Sequence, residues 1–385
     1  MKSAVIVDCC RTPIGRAHAE KGVFRDVRSD DLAVEVVRAL VTRTGIDPAA
    51  IEDVVLGNTQ QQREQGFNVA RAVGLMAGLP VAAGGATVNR LCGSSLQALA
   101  QASHAILADA EDVQIVGGLE HMHHIPMDAG IDFNPKLFTR TSKGALMMGI
   151  TAEFLAQTQG ITREEQDAFS LRSHQKASAA TAAGKFADEI VPVWGRDEAG
   201  NRVLVETDQC IRSDTSLEAL AALKPAFMPG LGTVTAGNSS PLNDGAAGLM
   251  MMSDQSAERL GLKPLVKVRS TAVAGVDPAV MGTGPVPATQ KALKRAGLTL
   301  DDIDLVELNE AFAAQALACI RMLNLPEDKV NVRGGAIAIG HPLGASGARI
   351  ATTLIHAMHD QNAELGLATM CIGAGQGIAV IFERI

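Results

Sequence analysis

The chain has 385 residues, 47% of them hydrophobic and only 3% aromatic, with 38 glycines, one tryptophan and no tyrosine. That length leads us to expect two or three domains with a large core, and the composition fits an α/β protein rich in tight turns rather than a disordered or fibrous chain. A formal net charge of −8, with so few rings to stack on bases, argues against general nucleic-acid binding.

In chain order, the apolar run Ala4-Val5-Ile6-Val7 stops at Asp8, too short for a secretory signal core. No later apolar stretch reaches membrane-spanning length without a Gly, Pro or charge. Six cysteines without regular spacing fit a reducing compartment, so a soluble, cytoplasmic protein is expected. A helix-like segment ends at Arg43-Thr44-Gly45-Ile46, and a short strand-like run holds Ile51 and Val54. Asn89-Arg90-Leu91-Cys92-Gly93-Ser94-Ser95 then feeds the helix-like Leu96–Ala102, followed by the strand-like Val113–Val116. Residues from about 120 to 230 include the loop-like His121-Met122-His123-His124-Ile125-Pro126. They also include a helix predicted over 163–183, with Thr162 and Glu165 spaced as a capping box.

The chain repeats itself at a displacement of 252 residues. Arg43-Thr44-Gly45-Ile46 falls on Arg295-Ala296-Gly297-Leu298, Ile51 and Val54 on Ile303 and Val306, and Leu91-Cys92-Gly93-Ser94 on Leu343-Gly344-Ala345-Ser346. Two similar α/β halves are expected, each around its own sheet, with residues 1–255 and 260–385 as their bounds and the 120–230 stretch inserted in the first.

Chemistry concentrates at the turns. Cys92 opens a helix, where unpaired N–H groups and the dipole favour a thiolate, although a free cysteine is also commonly a small buried hydrophobe. His341, in Gly340-His341-Pro342, corresponds by the repeat to Asn89, three residues before Cys92, so pseudo-symmetry can set the two turns face to face. Cys371 ends a strand-like run, and a thiol near its intrinsic pKa of about 8.5 can give and take protons. Gly373 has no side chain to keep its N–H from a developing oxyanion. His121, His123 and His124 lack the Cys or carboxylate pattern that fixes a metal, and none is expected. The glycine runs match neither a phosphate loop nor a dinucleotide turn.

Asn89–Ser95, Asn309-Glu310-Ala311-Phe312, Gly340-His341-Pro342 and Cys371-Ile372-Gly373 resemble the four signature blocks of the thiolases, in the family's order and spacing. The likeness runs from Val5-Ile6-Val7-Asp8 to Phe382-Glu383-Arg384. It implies a five-layered αβαβα architecture of two repeated halves, with an inserted loop domain covering the substrate. It also implies that Cys92 is acylated, that Cys371 is the acid/base, and that the N–H groups of Cys92 and Gly373 form one oxyanion hole. Asn309 would hold a water that, with His341, binds the enolate oxygen. Glu310 can be read as a general base, but a structural partner for backbone or histidine is at least as good a reading and it is assigned no catalysis. Ser240 matches a pantetheine-binding serine, Met148 borders the acyl and pantetheine channel, and Arg212 lies where relatives contact the adenine nucleotide.

The resemblance implies thiolytic cleavage of a 3-ketoacyl-CoA with no metal or redox cofactor, coenzyme A being a substrate. Glu120–Met127 and Gln61–Asn68 resemble fatty-acid-oxidation members from bacteria, whereas Gly344-Ala345-Ser346-Gly347 also resembles biosynthetic acetoacetyl-CoA thiolases. A non-catalytic CoA- or lipid-binding relative is a further alternative. Decarboxylating condensing relatives usually carry a second histidine where this chain has Asn309. A homodimer through the first half, including residues 60–74, or a tetramer is expected, as is a hydratase/dehydrogenase α-subunit partner.

Overall fold

In the computed structural model, which describes residues 2–385, the first strand sends alternate side chains into two different cores. This strand, β1 (Ala4–Arg11), leads through the short β2 (Gly15–Arg16) to α1 (Ser29–Thr44), β3 (Asp53–Gly57), α2 (Val69–Ala77), β4 (Ala86–Val88), α3 (Ser94–Leu107) and β5 (Val113–His121). An insertion comes next. It carries α4 (Met148–Thr158), α5 (Arg163–Ala182), the hairpin β6 (Val193–Arg196) and β7 (Arg202–Val205), and α6 (Leu217–Ala221). β8 (Asn243–Ser253) and α7 (Asp254–Leu260) close the first half. The second half is β9 (Val266–Gly275), α8 (Pro285–Ala296), β10 (Leu305–Leu308), α9 (Ala313–Leu323), α10 (Ser346–Gln361), β11 (Leu365–Ile372) and β12 (Gln376–Arg384).

The repeat is visible in the backbone. α3 and α10 begin 252 residues apart, as do β5 and β11. The helices α1 and α8 end at Gly45 and Gly297, both left-handed caps with φ of 64° and 70°. The capping box forms as expected, with Thr162 accepting from the Glu165 N–H and Glu165 accepting from the Thr162 N–H at 2.8 Å.

The sheets depart from expectation. The two halves do not keep separate sheets: β1 pairs with β9 at Val5–Lys267 and Ile6–Val266, joining them into one ten-stranded sheet in the order β10-β11-β12-β9-β1-β8-β5-β3-β4, with β2 paired to β8. A chain that runs into a second copy of its own unit can hydrogen-bond the two first strands, and this leaves fewer free edges than two sheets would. Side-chain parity sorts the layers. Val5, Val7, Met250 and Met252 face α1 and α2, whereas Ile6, Leu249 and Met251 face α3 and α10. Ile378, Val380 and Phe382 also face α3 and α10, while Ala379 and Ile381 face α8 and α9. Five layers result, with α3 and α10 in the middle. Strands covered on both faces read as continuous apolar runs, as these do.

The insertion is bolted to β1 by charge. The Arg11 guanidinium is wholly buried, with Nε 2.7 Å from Glu189 and Nη1 and Nη2 at 2.7 and 2.8 Å from Asp208. Removing one partner from such a cluster leaves uncompensated buried charge. Arg11→Ala should therefore cost about 3–5 kcal/mol, read as a lowered denaturation midpoint and faster proteolysis within the insertion. An unchanged midpoint would contradict this anchoring role.

Candidate active site

The turn before α3 is held in an unusual shape. Leu91 has φ of +46°, a left-handed conformation costly for a branched side chain. Three hydrogen bonds enforce it: Asn89 Oδ1 accepts from the Leu91 N–H at 2.8 Å, Ser94 Oγ accepts from the Arg90 N–H at 2.9 Å, and Ser94 Oγ donates to the Leu91 carbonyl at 2.6 Å. The next residue is Cys92, half-buried and packed against the middle core, with Gly93 as the cap of α3.

The end of β11 closes on this turn. A side chain on Gly93 would strike Ile372 at 2.5 Å, and one on Gly373 would meet Leu91 at 3.2 Å and the Met148 sulfur at 3.3 Å. The backbone N–H groups of Gly373 and of Cys92 itself lie near enough to the sulfur to favour a Cys92 thiolate. Cys371 is buried among Met148, Val234, Met281, Ala311 and Phe312.

From the second half, β10 delivers Asn309 and the turn before α10 delivers His341. Gly340, at φ of +123°, brings the backbone against Asn243, whose Oδ1 accepts from the His341 N–H at 2.8 Å. His341 Nδ1 lies 2.6 Å from Ser346 Oγ, and Ser346 Oγ donates to the Pro342 carbonyl at 2.8 Å. The single hydroxyl proton of Ser346 is thereby used, so Ser346 accepts from Nδ1–H and the lone pair of His341 stays on Nε2. Asn309 Nδ2 approaches that Nε2 at 3.4 Å, and Asn309 Oδ1 is buried without a partner among the described residues.

Two family models cover nearly the whole chain: "Thiolase, N-terminal domain" matches residues 4–255 and "Thiolase, C-terminal domain" matches residues 262–384. The chain belongs to the thiolase family. It is 57% identical to proteins named 3-ketoacyl-CoA thiolase from Shewanella loihica and Shewanella frigidimarina, with all of each chain covered. The crystal structure of the Bacillus anthracis acetyl-CoA acetyltransferase superimposes with a TM-score of 0.91 at 39% identity, covering 100% of this chain and 99% of that one. The thiolase fold thus stands on sequence and structure alike, and thiolases of this kind are acyltransferases.

In this thiolase the expected site residues fall into two groups: Cys92, Gly373, Cys371 and Met148 lie together at the end of β11, and Asn309 lies against His341. Ser240 is stitched to the Asn309 segment, its N–H donating to the Ala311 carbonyl at 3.0 Å. Arg212 is exposed, with its backbone N–H donating to His174 Nδ1 at 3.2 Å. The three histidines of the 121–124 loop have partners of their own. His121 Nε2 donates to the Phe24 carbonyl, His124 pairs with Glu64 at 2.9 Å, and the His123 N–H donates to Asp244. Glu310 is fully engaged as an acceptor by Ser173, Asn331 and the Ile337 N–H, which fits its structural reading.

Electrostatics differ from the sequence expectation. Burial pushes the Cys92 thiol up to about 11, against the help of the Gly373 and Cys92 N–H groups. Burial, with the neighbouring Cys92 and Cys319, holds Cys371 well above its ordinary range. Burial and the nearby Arg349 cation push His341 down to about 3. Desolvation outweighs the helix terminus here, so the resting site holds neutral thiols and a neutral imidazole. Ser346 and Asn243 went unread in the sequence, although the repeat carried a signal for the serine: Ser94 and Ser346 are equivalent and both bond back onto their turns.

Both the neutral thiol and the ring tautomer can be tested on the free protein. Because alkylation needs thiolate, the rate of Cys92 modification by iodoacetamide should keep rising through pH 9 towards about 11; a plateau by pH 8 would contradict the neutral thiol. Ser346→Ala, which frees the ring to take the other tautomer, should lower kcat by roughly tenfold or more with little change in KM. Steady-state kinetics with unchanged kcat would remove the serine from ring orientation.

Proposed function

We propose that the protein is a 3-ketoacyl-CoA thiolase, transferring an acyl group to coenzyme A through an acyl-cysteine at Cys92. The observation that carries this reading is the pair of turns brought together at the N-termini of α3 and α10: one holds Cys92, with the Gly373 N–H and the Cys371 thiol near it, and the other holds His341, with its lone pair on Nε2. The names of the full-length relatives supply the substrate class.

In the cleavage direction, the Cys92 sulfur attacks the 3-keto carbon while its proton passes to His341 Nε2. The tetrahedral oxygen is met by the Cys92 and Gly373 N–H groups. The bond between carbons two and three then breaks, its electron pair moving into the thioester as an enolate. Cys371 protonates carbon two, and acetyl-CoA leaves. The thiol of a second coenzyme A gives its proton to the Cys371 thiolate and attacks the acyl-Cys92 carbonyl. This releases a shortened acyl-CoA and expels the Cys92 sulfur, which takes its proton back from His341 Nε2, so both cysteines return to thiols. The unpartnered Asn309 Oδ1 suits a water whose other proton points at the enolate oxygen, beside His341. Because the charge is spread by preorganised donors, the steps need no metal or redox cofactor.

Ser240, Met148 and Arg212 are assigned to the pantetheine, the acyl channel and the nucleotide end of coenzyme A respectively. Support for Met148 is its contact with Gly373 and its place beside Cys371; for Ser240 it is the link to Ala311. A degradative role in fatty-acid oxidation accords with the relatives' names. The structural neighbour, named for acetyl transfer, keeps acetyl-CoA condensation as the second reading.

We also propose a homodimer through the first half. β4 is an edge strand, and nearby Phe67 is completely exposed beside the exposed Leu75 and Met76. Pairing of these dimers and docking of an α-subunit belong to the same proposal, with the exposed Met127, Ile131, Phe133 and Leu137 of the insertion as the surface offered. Six free thiols suit the cytoplasm; among the described residues no helix is long and apolar enough to cross a membrane.

Mass spectrometry after quenching with a 3-ketoacyl-CoA should find the acyl group on the Cys92 peptide; acylation of Cys371 instead would reverse the two roles. Asn309→Ala should lower kcat by roughly 10²–10³ while KM changes little, since its interaction grows only as charge develops. A large rise in KM at constant kcat would place Asn309 in ordinary substrate binding.

A further inference from the structure

One buried acid near the site has no part in these steps. Glu120, near the end of β5, is wholly buried and makes no ion pair among the described residues. Its carboxylate is filled by N–H donors instead. Oε2 accepts from the Thr59 and Gly344 N–H groups, both at 2.9 Å. Oε1 accepts from Asn58 Nδ2 at 3.2 Å, the Gln60 N–H at 3.2 Å and Gln65 Nε2 at 2.7 Å. Five donors around one buried carboxylate form a rigid, charge-assisted node.

Two arms leave this node and reach the two catalytic turns. On one side, the Thr59 carbonyl accepts from Asn89 Nδ2 at 2.9 Å, and Asn89 Oδ1 holds the N–H of Leu91, the left-handed residue before Cys92. On the other side, Gly344 lies in the turn that carries His341. Backbone approaches there leave no slack. A side chain on Gly118 would lie 2.1 Å from the Gly344 carbonyl, and one on Gly344 would lie 2.6 Å from the Leu119 carbonyl and 2.9 Å from Glu120 Oε2. The node therefore bridges the two halves of the molecule at the point where their turns meet.

We propose that Glu120 is a positioning residue of the reaction: its carboxylate fixes the spacing between the Cys92 turn and the His341 turn. Glu120 touches no reacting atom and acts through Thr59, Asn89 and Gly344. This assignment rests on the thiolase reading of Cys92 and His341. Burial raises the pKa of the Glu120 carboxyl and the N–H donors of Thr59, Gln60 and Gly344 oppose that; ionised, it is one of the influences, after burial, that keep the Cys92 thiol protonated.

The test compares wild type with Glu120→Gln, which keeps the shape but turns one oxygen into an N–H donor facing other donors. Single-turnover acylation of Cys92 by a 3-ketoacyl-CoA, steady-state kinetics and the pH profile of iodoacetamide alkylation are measured on folded, size-verified protein. The expected result is a loss of about 10²-fold in acylation rate and kcat, the scale set by a misplacement of about 1 Å, with KM within about threefold. The alkylation profile should also move to lower pH. Glu120→Gln with kcat within about twofold of wild type and an unmoved alkylation profile overturns the proposal. Should that variant fail to fold, Asn89→Ala breaks the Cys92 arm at an exposed position. Acylation slowed by roughly tenfold or more supports the proposal, and wild-type acylation overturns it. A wild-type protein that forms no acyl-Cys92 overturns the thiolase reading itself, which separates the two failures.

Discussion

The contact on which the molecule depends is the meeting of two helix N-termini in its middle layer. α3 and α10 lie between the two halves of the bent sheet, and their first turns touch: Ser95 Oγ accepts from the Ala348 N–H at 2.8 Å, and Gly347 sits against the Leu96 N–H with no room for a side chain. Ser95 and Gly347 are equivalent positions of the repeat, so the contact is the pseudo-twofold axis itself. Small residues at both N-termini allow backbones to approach closely, and the turns preceding the helices are then forced together. The Cys92 turn and the His341 turn lie at one place in the molecule because the helices they lead into pack end against end.

The same burial sets the electrostatic character of the site. A helix terminus offers partial charge, but a thiol packed against the middle core loses more by desolvation than it gains from that field. His341 is likewise kept neutral by burial and by Arg349, another residue of α10. A site that rests uncharged while aiming N–H donors at its own sulfur has its polar groups arranged for the charge that appears only during bond formation. No reorganisation is then needed at that moment, which is where such donors have their largest effect.

Much of this was legible in the sequence. The repeat foretold paired helices and strands, and its spacing holds to the residue for α3 and α10 and for β5 and β11. The blocks around Cys92, Asn309, His341 and Cys371 carried the family. The single sheet was not legible, because the β1–β9 join rests on two backbone pairs between strands that each look self-sufficient. Nor were the protonation states, which depend on desolvation by residues scattered over the whole chain. Ser346, Asn243 and Glu120 escaped notice because a serine, an asparagine or a glutamate says nothing about its partner until the fold supplies one at a distance.

The Arg11 cluster has a consequence for how substrate enters. The insertion is pinned to β1 through Glu189 and Asp208, and near its other end the Glu153 carboxylate accepts from the Thr233 and Val234 N–H groups while Asn238 donates to Asp167. Swinging such a segment open would tear apart buried charge at a cost of several kcal/mol, leaving the open form at on the order of one molecule in a thousand. The insertion is therefore a standing wall and not a door. Movement beside Cys371 is then left to side chains that can bend in place, such as the unbranched Met148 packed there.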